Sequence, residues 1–259
     1  MKQWFTLINK EFLEMARNYK WIWMPITFIL LGVMDPLTTY YLPEILNSVG
    51  GLPEGAVFEM PEPSAQEVFI MSLGEYQMIG ILVIVLSTMG TVAGERKSGV
   101  AQLILVKPVS YVSYITSKWA AALILIVISL FLGMLASWYY IGVLFEFISF
   151  GRFMESFGLY SLWIVLVLSF VILCSALFMQ PVAAGMVALV TVFIFTIIGG
   201  SFQHLLEWSP TQLISYVSER LITEKWPEHV WPATGMTLSM IFVFIGLAIY
   251  FLKRKELAD

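Results

Sequence analysis

No Asp, Glu, Lys or Arg occurs anywhere across residues 156–206. A helix of about 20 apolar residues crosses the hydrocarbon core of a bilayer, so this stretch is too long for one span and suits two. The break falls at Met179-Gln180-Pro181, where a proline interrupts helical hydrogen bonding. Lipid is the better solvent for the whole chain. Of its 259 residues 59% are apolar or aromatic and only 12% are charged, against about 25% charged in soluble domains. A soluble fold of this length has no room to hide so much apolar surface.

Four further runs are long enough to span. The six expected spans cover about 21–41, 76–94, 119–145, 157–178, 182–202 and 231–252. Unbroken apolar runs argue for helices and against the short alternating strands of a barrel. The chain is therefore expected to be an all-α, multi-pass membrane protein forming one transmembrane domain over 1–259. Basic residues set its direction. With both termini inside, Lys2, Lys10, Arg17, Lys20, Arg96, Lys97, Lys107, Lys118, Lys253, Arg254 and Lys255 lie on the cytoplasmic side, and only Arg152, Arg220 and Lys225 lie outside. That split follows the positive-inside rule.

The first twenty residues carry charges of both signs and no cleavage site follows, so they are not read as a signal peptide. As a helix they place Trp4, Phe5, Ile8, Phe12, Met15, Ala16 and Tyr19 on one arc, with Lys10, Glu11, Glu14 and Arg17 off it. Such a helix lies flat on the inner leaflet or packs on a protein surface. Twelve glutamates against three basic residues leave the opposite face negative. That face attracts cations, or it is what remains when basic residues are kept inside. The first outer loop, 42–75, reads as irregular with a short helix at 44–49. Residues 210–221 read as an amphipathic helix on the outer leaflet.

Residues for catalysis are missing. His204 and His229 lie far apart, the single cysteine is Cys174, and no Gly-Lys-Ser/Thr phosphate loop or Gly-x-Ser-x-Gly elbow occurs. The chain is not expected to be an enzyme or to hold a metal or cofactor, and no nucleic-acid partner is expected. One acid, Asp35, falls inside a span. It reads as a proton or cation site or as the cap of a short helix restarting at Pro36. The inner loop 95–110 predicts a short helix with a charged start, Val100, Leu103 and Ile104 on one side, and a stop at Lys107-Pro108. It is either a protruding element on which a cytosolic partner pushes or an interfacial connector.

The run Gly94-Glu95-Arg96-Lys97-Ser98-Gly99 through Leu103-Ile104-Leu105-Val106-Lys107-Pro108-Val109-Ser110 resembles the Glu-Arg-x-x-Gly…Leu-Leu-x-x-Pro-Val-Ser pattern of ABC-2 type permease subunits. Tyr114-Ile115-Thr116-Ser117-Lys118 is similar to that family's lead into its third span. Met179-Gln180 departs from the family, which often has a basic residue there. The resemblance implies the membrane half of a bacterial ABC exporter in the plasma membrane. It pairs with a second permease subunit, alike or different, and sits on a separate cytosolic ATP-binding protein that holds the ATP and Mg. Residues 1–20 would be the elbow helix, and 95–110 would contain the coupling helix. Glu95, Arg96, Gly99, Leu103 and Pro108 would contact the ATPase or shape that helix. The rival reading is a membrane scaffold or regulator that binds a cytosolic protein and transports nothing.

Overall fold

A computed structural model describes residues 2–49, 63–106 and 109–256. Among these residues the chain is all helix, with no strand, and six helices are long and apolar enough to cross a membrane. Helix α1 (Lys2–Arg17) is followed by a sharp corner at Tyr19, whose φ is 55°, and by α2 (Lys20–Val49). The second span is built from α3 (Ala65–Glu75), a π turn (Tyr76–Gly80) and α4 (Ile81–Thr88). The short helices α5 (Ala93–Lys97) and α6 (Val100–Leu105) lead to α7 (Tyr111–Leu144). Then come α8 (Phe150–Leu177), α9 (Pro181–Ser201), α10 (Gln212–Thr223) and α11 (Val230–Glu256).

The second and third long helices begin well before the apolar runs do. Ser64 and Glu67 form a capping box: Ser64 Oγ accepts from the Glu67 backbone N–H at 3.3 Å, and the Ser64 N–H donates to Glu67 Oε2 at 2.8 Å. Ser110 caps α7 by accepting from the Ser113 N–H at 3.1 Å. The α8–α9 break falls at residues 178–180, and Pro181 takes the first helical position, where its missing N–H costs nothing. Of the outer loop expected over 42–75, residues 42–49 continue α2 and 65–75 form α3, so these parts are helix and not irregular, and residues 50–62 lie outside the described residues.

Helix α2 runs unbroken through Pro25, Pro36 and Pro43. Membrane helices tolerate interior prolines because nearby groups satisfy the freed carbonyls. Near Pro36 the Thr38 hydroxyl bonds back along the helix, donating to Met34 O at 2.8 Å and Asp35 O at 3.2 Å. Since the helix does not restart at Pro36, Asp35 caps nothing, and that expectation is overturned.

Helices α2 and α7 make the most extensive pairing, and α8 packs on α11, α9 and α10. At the α2–α7 crossing Gly32 meets Gly133. A Cβ at Gly32 would lie 2.3 Å from the Gly133 carbonyl oxygen, and one at Gly133 would lie 2.5 Å from that of Phe28. Close backbone approach through small residues is how membrane helices gain packing energy without a hydrophobic drive between them. Tyr76 seals the crossing, donating its hydroxyl to Phe28 O at 3.0 Å. The π turn beside it aims Gln77 across the bundle. Gln77 accepts from Trp163 Nε1 at 2.8 Å and donates to Thr196 Oγ1 at 3.3 Å, joining the second span to α8 and α9.

Two amphipathic helices use their apolar faces within the protein. In α1, Ile8 and Met15 are buried, with the helix packed on α7 and α2, while Phe5 and Leu13 stay exposed. In α10, Leu213, Val217 and Leu221 are buried with the helix against α8 and α11, not spread on the leaflet. The acidic end of the bundle pairs two of its bases: Arg220 bonds Glu155 at 2.8 Å, and Arg152 bonds Glu224 at 2.8 Å.

Candidate functional site

Glu95 and Arg96 stand on α5, and both side chains are buried. Tyr114 and Lys118 are four residues apart on α7, so they share a helix face, and that face looks at Glu95. The Tyr114 hydroxyl donates to Glu95 Oε2 at 2.6 Å, and the Lys118 ammonium meets Glu95 Oε1 at 2.8 Å. The same ammonium donates to Glu11 Oε1 at 2.7 Å and lies 5.0 Å from the centre of the Tyr114 ring. Lys10 closes the set, bonding Glu95, Glu11 at 3.0 Å and Glu14 at 2.9 Å.

Two lysines and two buried glutamates therefore alternate across three separate elements. Lys118 is only 1% exposed. A charge that deep is tolerable only when paired and hydrogen-bonded. Burial works against the charge on Lys10, but the bonds it donates to Glu95 and Glu14 and the charges of Glu11 and Glu95 outweigh it and hold that ammonium above the usual lysine range. The carboxylates of Glu11, Glu14 and Glu95 come within 4.8 Å of one another, a spacing that suits a metal ion. The two lysine ammoniums already meet those oxygens, so the geometry is that of a salt-bridge network.

Arg96 faces the other way. Its Nη1 donates to Ala176 O at 3.0 Å, and Lys255 of α11 donates to the neighbouring Leu177 O. The last carbonyls of a helix lack partners and carry the negative end of its dipole, so two cations are well placed there. Ser175 adds a further tie. Its hydroxyl accepts from the Val92 and Ala93 N–H groups, each at 3.0 Å, and donates to Met89 O at 2.7 Å. Helix α5 is thus fastened to α1, α7 and the end of α8.

Beyond α5 the chain turns outward. Gly99 has φ 77° and ψ −2°, the left-handed conformation that commonly ends a helix and that glycine adopts without steric cost. Helix α6 follows, with Ala101 buried and Val100, Leu103 and Val106 exposed on one side. Leu103 is 72% and Val106 87% exposed. Pro108 lies outside the described residues.

The structure thus brings Glu95 and Arg96 together as inward-facing anchors and places Gly99 and Leu103 on the protruding turn. Asp35 is elsewhere, on α2, and its buried Oδ2 has no hydrogen-bond partner among the described residues. Sequence reasoning missed Glu11, Tyr114, Lys118 and Ser175. In the sequence Glu11 stands off the apolar arc and Lys118 counts among the cytoplasmic basic residues, so neither position signals burial.

Six long apolar helices, an amphipathic helix folded onto them, and a short exposed helix on an ion-paired base define a multi-pass membrane protein. The profile of the ABC-2 family transporter protein matches residues 60–250. An uncharacterized transmembrane protein of Bacillus subtilis (strain 168), YxlG, is 33% identical over 256 residues, which cover 99% of each chain. The chain belongs to the ABC-2 transporter family and is a transporter's membrane component.

Proposed function

We infer that the chain is the permease subunit of an ATP-driven exporter, paired with a second permease and coupled to a separate cytosolic ATPase through α6. The observation that carries this is the exposed row of Val100, Leu103 and Val106 on a base fixed by Glu95 and Arg96. An apolar knob on a rigid base transmits a push, whereas one on a loose loop absorbs it. Glu95 and Arg96 act on the partner indirectly, through the position they give α6. Lysines and arginines at this end of the bundle support a cytoplasmic placement for it and for both termini.

The test is co-purification of the chain with an ABC ATP-binding subunit, followed by ATP hydrolysis in proteoliposomes. Leu103→Asp should abolish both association and stimulated hydrolysis while the chain still elutes as a folded species. Undiminished association would overturn the docking role of α6. Association without any stimulation of hydrolysis would favour the scaffold reading.

A further inference from the structure

At the corner where α1 meets α2 lies a cavity of about 220 Å³, lined by Glu11, Glu14, Lys20, Leu86, Gly90 and Pro181 among others. It is smaller than the roughly 300–1,000 Å³ of pockets for drug-sized ligands, and it suits a headgroup. Its walls carry charge of both signs. Glu11 is 5% exposed, and its bonds to Lys10 and Lys118 run through Oε1. Its Oε2 has no hydrogen bond among the described residues. Glu14 adds a second carboxylate, whose Oε2 already meets Lys10 at 2.9 Å. Lys20, also on the wall, donates to Ser87 O at 2.6 Å and keeps two further donors. Cavity walls that carry both carboxylates and an ammonium match a ligand that carries both an amine and an anionic group.

The surroundings say where such a ligand comes from. Lys20 is the first residue of α2 and Pro181 the first of α9, so the cavity sits at the level where spans enter the bilayer. Leu86, on its wall, is 53% exposed, and Val182, next to Pro181, is 64% exposed, which gives acyl chains an apolar surface to run along. We propose that this cavity binds a phosphoethanolamine-type lipid headgroup, its ammonium on Glu11 and Glu14 and its phosphate on Lys20. A lipid held there fills the wedge between α1 and the bundle and fixes the angle at which α1 presents Glu11 to Lys118. This site is separate from the α6 knob, so its failure would leave the docking reading standing.

The experiment is native mass spectrometry of the full chain released from nanodiscs containing equal parts of phosphatidylethanolamine, phosphatidylcholine and phosphatidylglycerol. Wild type should keep phosphatidylethanolamine in preference to the other two. Glu14→Gln combined with Lys20→Met should lower that adduct about tenfold, through loss of charge-assisted hydrogen bonds. Gly90→Leu should do the same with every charge in place. A Cβ at Gly90 meets nothing closer than Pro181 at 3.8 Å, so the larger side chain grows into open space. Free phosphoethanolamine that displaces the adduct would assign recognition to the headgroup alone, and an adduct that resists it would make the acyl chains part of the ligand. Equal retention of all three lipids, or an undiminished adduct in both folded variants, would overturn the proposal.

Discussion

Lys118 and Glu95 meet at 2.8 Å inside the protein, joining the start of one membrane-spanning helix to the short helix that carries the family's charged motif. Neither charge is stable there alone. Removing the lysine leaves Glu11 and Glu95 buried with Lys10 as their remaining cation. Breaking one side of a buried pair typically costs about 3–5 kcal/mol. Lys118→Met should therefore lower thermal stability in detergent sharply, and Lys118→Met with Glu95→Gln should recover part of the loss. Additive effects in that cycle would show the two residues to be uncoupled.

Gly99 should tolerate asparagine far better than a β-branched residue. Its φ of 77° places any Cβ in the left-handed region, which costs roughly 1–2 kcal/mol for ordinary residues and more for branched ones. Gly99→Val should loosen α6, read as faster tryptic cleavage after Lys97, while Gly99→Asn stays near wild type. Equal cleavage rates for the two variants would remove the backbone argument.

The α2–α7 crossing should be intolerant of even one methyl group. Gly133→Ala would put a Cβ 2.5 Å from a backbone oxygen, so the helices must separate, whereas Gly74 has nothing within 4 Å of an added Cβ. Overpacking of this kind costs about 1–3 kcal/mol. Differential scanning fluorimetry should show a clear drop for Gly133→Ala and none for Gly74→Ala.

Asp35 carries a buried oxygen without a partner among the described residues. Such a group destabilises a fold by about 1–3 kcal/mol, so Asp35→Leu should raise the melting temperature. A stabilised variant that no longer transports would mark the acid as functional, since intramembrane acids are kept at a cost. A destabilised variant would show that the carboxylate has a structural partner.

Six spans were legible because crossing a bilayer demands length and apolarity, and both can be read directly from residues. The starts of the second and third helices were not, because Glu67 and Lys118 look like loop charges. The capping box at Ser64 and Glu67 was available as a signal. The site was half legible. Glu95 and Arg96 stood out as a motif, but their inward direction depends on Glu11 through Lys118 and on Ala176, which lie 84 and 80 residues away along the chain. No local periodicity encodes contacts of that range. Helix α1 shows the same limit, since its apolar arc predicts a surface without saying whether lipid or protein supplies it.

The π turn at Tyr76–Gly80 sets the phase of everything after it in the second span. It holds one residue more per turn than the helix on either side, and each residue in an α-helix advances the chain by about 100°. Excising a single residue there would rotate α4 against the rest of the bundle. Ile84 and Val85 would leave the core together, and α5 would arrive with Glu95 facing away from Tyr114 and Lys118. The direction in which α5 and α6 leave the span is thus set by a register mark near its middle.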